Sequence, residues 1–401
     1  MTAPGTFVAE RLDDPASMHT FDSAQLLRGI AGAGAQLREA SQLTAEAGLQ
    51  VLGDEGRPRA VVVAGVGTAA RTADILAAVA GPRCPVPVLA HRSAGIPGWV
   101  GAADVVIAVS ASGRGPEALA AADAAAARGA RLVAIGAPDS ELQSYAERAR
   151  APFIPVPRRR PAWVSLWGLT APVLLTGRAL GLASITETDI AEAASRLDAD
   201  AERCRPTAET FTNPAKTLAM DLAGTIPVVW GSSRLATVAA SRVADSLAAN
   251  ARYPASSGGL LEASRGRVGL LDGIYGSVAG PKDIFADPYE EDEEAANAPD
   301  PTRLRVVLLR DEPEEAGVEL EGAEPVRPDS ARADVVEDLA TERGVGISVI
   351  SAEGASLLER LASLIAVTDF ASLYLALGHG IDPVVVPAVS ELKERSARRP
   401  L

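Results

Sequence analysis

The stretch DVVIAVSASGRGPEALAAADAAAARGARLVAIGA (104–137) decides the fold. It opens on an aliphatic run that ends in Ser110, Ser112 and Gly113. PEALAAADAAAARG (116–129) follows, with proline near its start and glycine past its end, the asymmetry of a helix. RLVAIGA (131–137) is a second aliphatic run. Near-continuous apolar runs separated by a helix read as buried parallel strands joined by a right-handed crossover.

The same pattern extends in both directions. Upstream, AVVVAGVG (60–67) is a strand ending in a glycine turn, an Ala-rich helix runs to about Ala80, and VPVLA (86–90) is another strand. Downstream, APFIPVP (151–157) supplies a fifth strand, and 161–222 reads as mostly helical. A second series then opens with IPVVWGSS (226–233) and the helix RLATVAASRVADSLAANA (234–251). LRVVLLRD (304–311), GISVISA (346–352) and a helix near 355–377 complete it. The chain's 401 residues are long for one domain. The expected fold is therefore α/β: two doubly wound parallel sheets in tandem with helical connections. The expected boundaries are a loose lead-in at 1–20, a first domain at 21–182 and a second at 183–401. The acidic, proline-flanked run DPYEEDEEAANAPDP (287–301) reads as a solvated loop.

A formal net charge of −14 argues against nucleic acid, whose phosphates need a basic footprint. It leaves room for a small phosphate, which needs only a local positive pocket. Cys84 and Cys204 form no disulfide framework, and the three histidines (His19, His91 and His379) are far apart, so no metal is proposed. The N-terminus lacks the basic start and apolar core of a signal peptide. Trp163 to Leu182 is apolar but contains Pro172 and Arg178, and reads as a buried helix rather than a membrane span. A cytoplasmic protein is expected.

A strand-end turn that feeds a helix N-terminus gathers hydroxyls and backbone N–H groups around an anion. Ser110, Ser112 and Gly113, followed by Arg114, make such a turn, and Gly65, Gly67 and Thr68 make a neighbouring one. The same residues equally suit strand-end and helix-cap roles. The second turn approaches a dinucleotide loop, but Ala70 holds the final glycine position and the next strand ends without an acid for the ribose. Gly231-Ser232-Ser233 repeats the arrangement in the second half, either as a relic of duplication or as part of the same cleft.

Taken together, these segments resemble the SIS-domain bifunctional phosphoglucose/phosphomannose isomerase family. The resemblance rests on VSASG with its following helix and Gly-Ala strand, NPAKTLAMDLAGTIPVVWG (213–231), LLEASRGRVG (260–269) and DFASLYLALGHGIDP (369–383) followed by Lys393. It implies two tandem sugar isomerase (SIS) domains, a hexose 6-phosphate ligand and a homodimer. It also implies aldose–ketose isomerisation with fructose 6-phosphate through a cis-enediol, without metal or nucleotide cofactor.

The resemblance has gaps where the chemistry sits. The family's base is a glutamate in a Leu-Asn-Glu-Asn stretch, and here Ala249 stands in its place. The family's ring-opening histidine falls on Arg265, which stays protonated at neutral pH. The family arginine after Gln-Pro falls on Ala162, with Arg160 able to reach the same space. Lys393 matches the family's C-terminal lysine. Glu262 and His379 stand as relocated base and ring-opening residue, or as a surface carboxylate and a loop histidine. Without a base and an acid, isomerisation gives way to the alternative, a sugar-phosphate sensor or regulatory partner.

Overall fold

The computed structural model describes residues 5–54, 56–159, 161–279, 302–312 and 329–398. Arg160 and the acidic run 287–301 lie outside them. The chain divides into two compact units. One contains Gln25–Arg205 with Glu353–Ala366, and the other the residues to Ala24, Pro206–Ala352 and those from Val367 onward.

The first unit holds β1 (Val61–Ala64), β2 (Val88–His91), β3 (Val105–Ser110), β4 (Arg131–Gly136) and β5 (Phe153–Pro155). All pairings are parallel and the order is β2-β1-β3-β4-β5. Every residue of β1 and β3 is buried, which explains their unbroken aliphatic runs. Val62, Ala64, Val106, Ala108 and Ala134 pack against Ala121, Ala122 and Ala125 of the helix Pro116–Ala127. Small alanines bring that helix close to the sheet and fill the core with few aromatics. The helix Leu166–Ala179 is buried from Leu166 through Gly177, as expected for that apolar stretch. Thr170 and Thr176 hide their hydroxyls by donating to the carbonyls of Leu166 and Pro172, 2.7 Å away in each case.

The helix Glu187–Arg203 also belongs to this unit, although the boundary expected from the sequence falls before it. Its start is fixed by a capping box between Thr186 and Asp189. Asp198 then pairs with Arg38, and Arg196 with Glu353 and Glu359.

The second unit holds β6 (Thr225–Gly231), β7 (Ser256–Gly259), β8 (Arg303–Arg310) and β9 (Gly346–Ser351), all parallel, in the order β7-β6-β8-β9. Trp230 is fully buried among Leu260, Val306, Leu308 and Val336. The N-terminal lead-in is packed here rather than loose. It forms the turn Ala9–Leu12 and the helix Pro15–Phe21, and Leu12 is fully buried. Lys216 anchors it. This buried ammonium donates to Asp13 Oδ1 (2.9 Å) and to the carbonyls of Pro206 (2.9 Å) and Ala208 (2.7 Å). All three ammonium hydrogens are used, as burial of a charge demands.

The helix Arg234–Ser246 is stapled to the helix Leu357–Gly378 within this unit. Arg242 Nε and Nη2 each donate over 2.9 Å to the two oxygens of Asp369, and Ser246 Oγ adds a 2.8 Å bond. The helix Leu357–Gly378 is long and apolar enough to cross a membrane, but its apolar window is entirely buried, the condition of a core helix. The last helix, Pro387–Ala397, is exposed from Pro387 to Ser396.

Candidate functional site

In a sheet of order β2-β1-β3-β4-β5, the strand order reverses between β1 and β3, and ligands bind outside the carboxyl ends of those strands. The two turns picked out by sequence lie at those ends. Gly65, Gly67 and Thr68 follow β1, and Ser110, Ser112 and Gly113 close β3. The structure thus brings six of the predicted residues to one edge.

The Ser110–Gly113 turn is built to present protons. Ser110 Oγ accepts from Gly115 N (3.1 Å) and Ser112 Oγ from Arg114 N (3.2 Å). Each hydroxyl spends a lone pair on its own turn, which leaves its O–H to donate outward, the polarity an anion needs. Gly113 must be glycine: its φ is +65°, and a side chain would collide with Ser140 Oγ. Gly65 is similarly confined, since a Cβ there would lie 2.7 Å from the carbonyl oxygen of Val109 and 2.8 Å from Ala69 Cβ. The helix Pro116–Ala127 starts directly after the turn with uncapped N–H groups, and Glu117 in its first turn offsets part of their positive field.

Sequence reading chose Arg160 as the nearby cation, which lies outside the described residues. Among the described residues, Arg158 lies by the turn, its Nη2 donating to the carbonyl of Ser112 (3.3 Å). Beside the first turn, Arg71 and Arg92 both bond Asp74, at 2.8 and 2.7 Å.

The third turn is different. Ser233 Oγ donates to Asp311 Oδ2 (2.6 Å), and Ser232 Oγ exchanges hydrogen bonds with the Asp311 backbone, donating at 3.0 Å and accepting at 2.8 Å. An anion at Gly231-Ser232-Ser233 would meet a buried carboxylate. Of the three turns, this one is closed to phosphate by its own chain.

The proton-transfer candidates sit in the second unit. Glu262 is exposed on the short helix Leu260–Ala263 after β7, and Arg265 is exposed one turn on, its N–H bonded to the Glu262 carbonyl (3.1 Å). His379 is enclosed. Its Nδ1 bonds the Gly5 carbonyl (2.7 Å), its ring lies 5.3 Å from Phe7 and 5.8 Å from Tyr253, and Nε2 is buried with no hydrogen-bond partner among the described residues. Lys393 is exposed on the C-terminal helix. Ala249 lies exposed on a π-helical turn, Leu247–Ala251, while its neighbour Asn250 is buried and donates to Ser372 Oγ (2.8 Å). Single π turns often mark functional positions, and the five-residue helix period was invisible in the alanine-rich sequence. Among the described residues, no group of three or more His, Cys, Asp or Glu could hold a metal.

Parallel sheets of this topology, with a Ser/Gly turn at the switch point of the first, define a tandem SIS-domain protein. Residues 211–395 match the bacterial phospho-glucose isomerase C-terminal SIS domain. The chain is 28% identical over 337 residues to the bifunctional phosphoglucose/phosphomannose isomerase of Caldicellulosiruptor bescii, covering 84% of this chain and 89% of that one. The chain is thus similar over most of its length to a bifunctional phosphoglucose/phosphomannose isomerase, and its second half carries the match to the isomerase-type SIS domain. Solved structures share the fold. A hypothetical protein from Thermus thermophilus superposes with a TM-score of 0.64 at 16% identity, over 98% of this chain and 93% of its own. The C-terminal domain of glucosamine-fructose-6-phosphate aminotransferase from Francisella tularensis gives 0.55 at 12% identity, over 88% and 96%.

Proposed function

We propose that this protein binds a hexose 6-phosphate, with the phosphate on the Ser110–Gly113 turn, and interconverts glucose or mannose 6-phosphate with fructose 6-phosphate through a cis-enediol. The observation that carries the reading is the turn itself: two serine hydroxyls whose lone pairs are used internally, beside an uncapped helix start and Arg158. Gly65, Gly67 and Thr68 line the same edge, and the family relationship supports a phosphorylated sugar as the ligand. Isomerisation needs a base for the carbon-bound proton and an acid for ring opening. Glu262 is the candidate base because it is an exposed carboxylate in the matching segment, and Lys393 is the candidate for ring opening. Arg265 would oppose enediolate charge. No metal or nucleotide enters this scheme. The partner is a second copy of the chain, for which Val385, Val389 and Leu392 offer exposed apolar side chains near the C-terminus.

A second reading, a binder that senses sugar phosphate without turnover, is favoured by Ala249 at the position of the family's base and by the enclosure of His379. Coupled turnover of fructose 6-phosphate, compared with the Lys393→Ala variant, separates the two. Turnover that collapses in the variant supports the isomerase. Absence of turnover in folded protein, with thermal stabilisation by the same sugar phosphates, leaves the sensor.

A further inference from the structure

The first sheet has a polar cavity at the edge where its strands begin, opposite the Gly65–Thr68 and Ser110–Gly113 turns. It is open to solvent and offers about 550 Å³, within the range of small-molecule sites. It is lined by Arg57, Arg59 and Arg131 together with Pro58, Pro85 and Ala103, and no carboxylate lines it. These residues precede β1, β2 and β3 or open β4, so the parallel sheet itself gathers the three arginines.

Two of the guanidiniums are held in place. Arg59 Nε and Nη2 bond Asp104 Oδ1 and Oδ2, at 2.9 and 2.6 Å, and Nη2 also donates to the Trp99 carbonyl (2.7 Å). Asp104 is fully buried behind Arg59, which remains 57% exposed. Asp104 therefore cancels one charge and fixes the guanidinium plane. It leaves Nη1 without a hydrogen bond among the described residues. Arg131 Nη1 donates to the Gly56 carbonyl (2.9 Å). Three arginines facing one cavity repel each other, and among the described residues Arg57 has no ion pair to offset its charge. Arginine forks match the planar or tetrahedral oxygens of carboxylates and phosphates, and pre-oriented forks lose little freedom on binding.

We propose that this cavity is an anion site that takes a small, multiply charged ligand bearing phosphate or carboxylate groups, separate from the sugar-phosphate turn. The test is calorimetric titration of the full chain with inorganic pyrophosphate and, in parallel, citrate. Wild type is compared with Arg57→Glu, Arg57→Gln and Ser112→Asp, with circular dichroism reporting folding. The expected result is pyrophosphate binding that survives Ser112→Asp and weakens about tenfold or more in both Arg57 variants, the effect of losing one charge-assisted bond. Pyrophosphate without citrate assigns a phosphorylated ligand, and binding of both assigns polyanions generally. Binding abolished by Ser112→Asp and untouched at Arg57 overturns this inference while leaving the sugar-phosphate reading intact. Failure of wild type to bind either probe also overturns it.

Discussion

Replacing Arg242 with methionine removes one half of an ion pair whose side chains are only 4% and 9% exposed. Asp369 would keep the single bond from Ser246 while losing two from the guanidinium. A buried charge stripped of its partner costs about 3–5 kcal/mol. The expected loss of protection is therefore roughly two to nearly four orders of magnitude in amide exchange. Hydrogen-exchange mass spectrometry on peptides from Arg234–Ser246 suits the measurement, because a chain of two units need not unfold in one step. The double replacement Arg242→Met/Asp369→Leu removes both charges and should recover most of the loss, since apolar groups of similar volume replace buried pairs at little cost. A single-variant effect below about 1 kcal/mol, or a double variant as impaired as the two singles summed, would refute the view that burial makes this pair strong. The helix at stake leads into the π-helical turn carrying Ala249, so the pair also sets where that turn stands.

Ser112→Ala should weaken hexose 6-phosphate binding about 10–100-fold by removing one donor to a charged group; calorimetry showing less than a twofold change would move the phosphate elsewhere. Ala249→Glu should raise turnover by about 10²–10⁴-fold if the π turn retains the base position, whereas unchanged coupled-assay rates would point to Glu262. Gly113→Ala should unseat the turn through both its positive φ and the clash with Ser140, seen as loss of binding with a lowered melting temperature. In acid, hydrogen bonding from Arg59 holds the Asp104 carboxyl below its usual range despite burial. Its stabilisation is thus present above the unfolded value of about 3.9 and lost as pH falls through the lower folded value. Burial instead raises Asp200, against Arg203 and Arg196, so protonating that group on acidification favours the fold. Asp104→Asn should accordingly flatten the acid limb of a melting-temperature profile, and Asp200→Asn should steepen it.

The strands were legible because burial on both faces leaves an aliphatic run that no other element needs, as in Val105–Ser110. The Ser110–Gly113 turn was legible for a related reason, since serine and glycine there interrupt that run at the strand's end. Less was visible where contacts join distant residues. Lys216 reads as an ordinary helical lysine until Asp13, Pro206 and Ala208 surround it. His379 reads as a candidate acid or a loop histidine, and its contacts with Gly5 and Phe7 come from the other end of the sequence. Asp311, which closes the third turn, is separated from Ser232 and Ser233 by most of the second sheet's sequence, and no local pattern announces it.

The division of the chain has a consequence for its synthesis. Gln25–Arg205 leaves the ribosome as a nearly finished unit but lacks Glu353–Ala366, the start of its closing helix. At translation speeds of about 5–20 residues per second, that interval lasts on the order of ten to thirty seconds. Leu12 and Asp13 are made before Gln25–Arg205, and Asp13 waits for Lys216, 203 residues further on. A segment made before the first compact unit thus settles only after the main part of that unit has left the ribosome, and Leu12 is among the apolar side chains that a chaperone would shield in the interval.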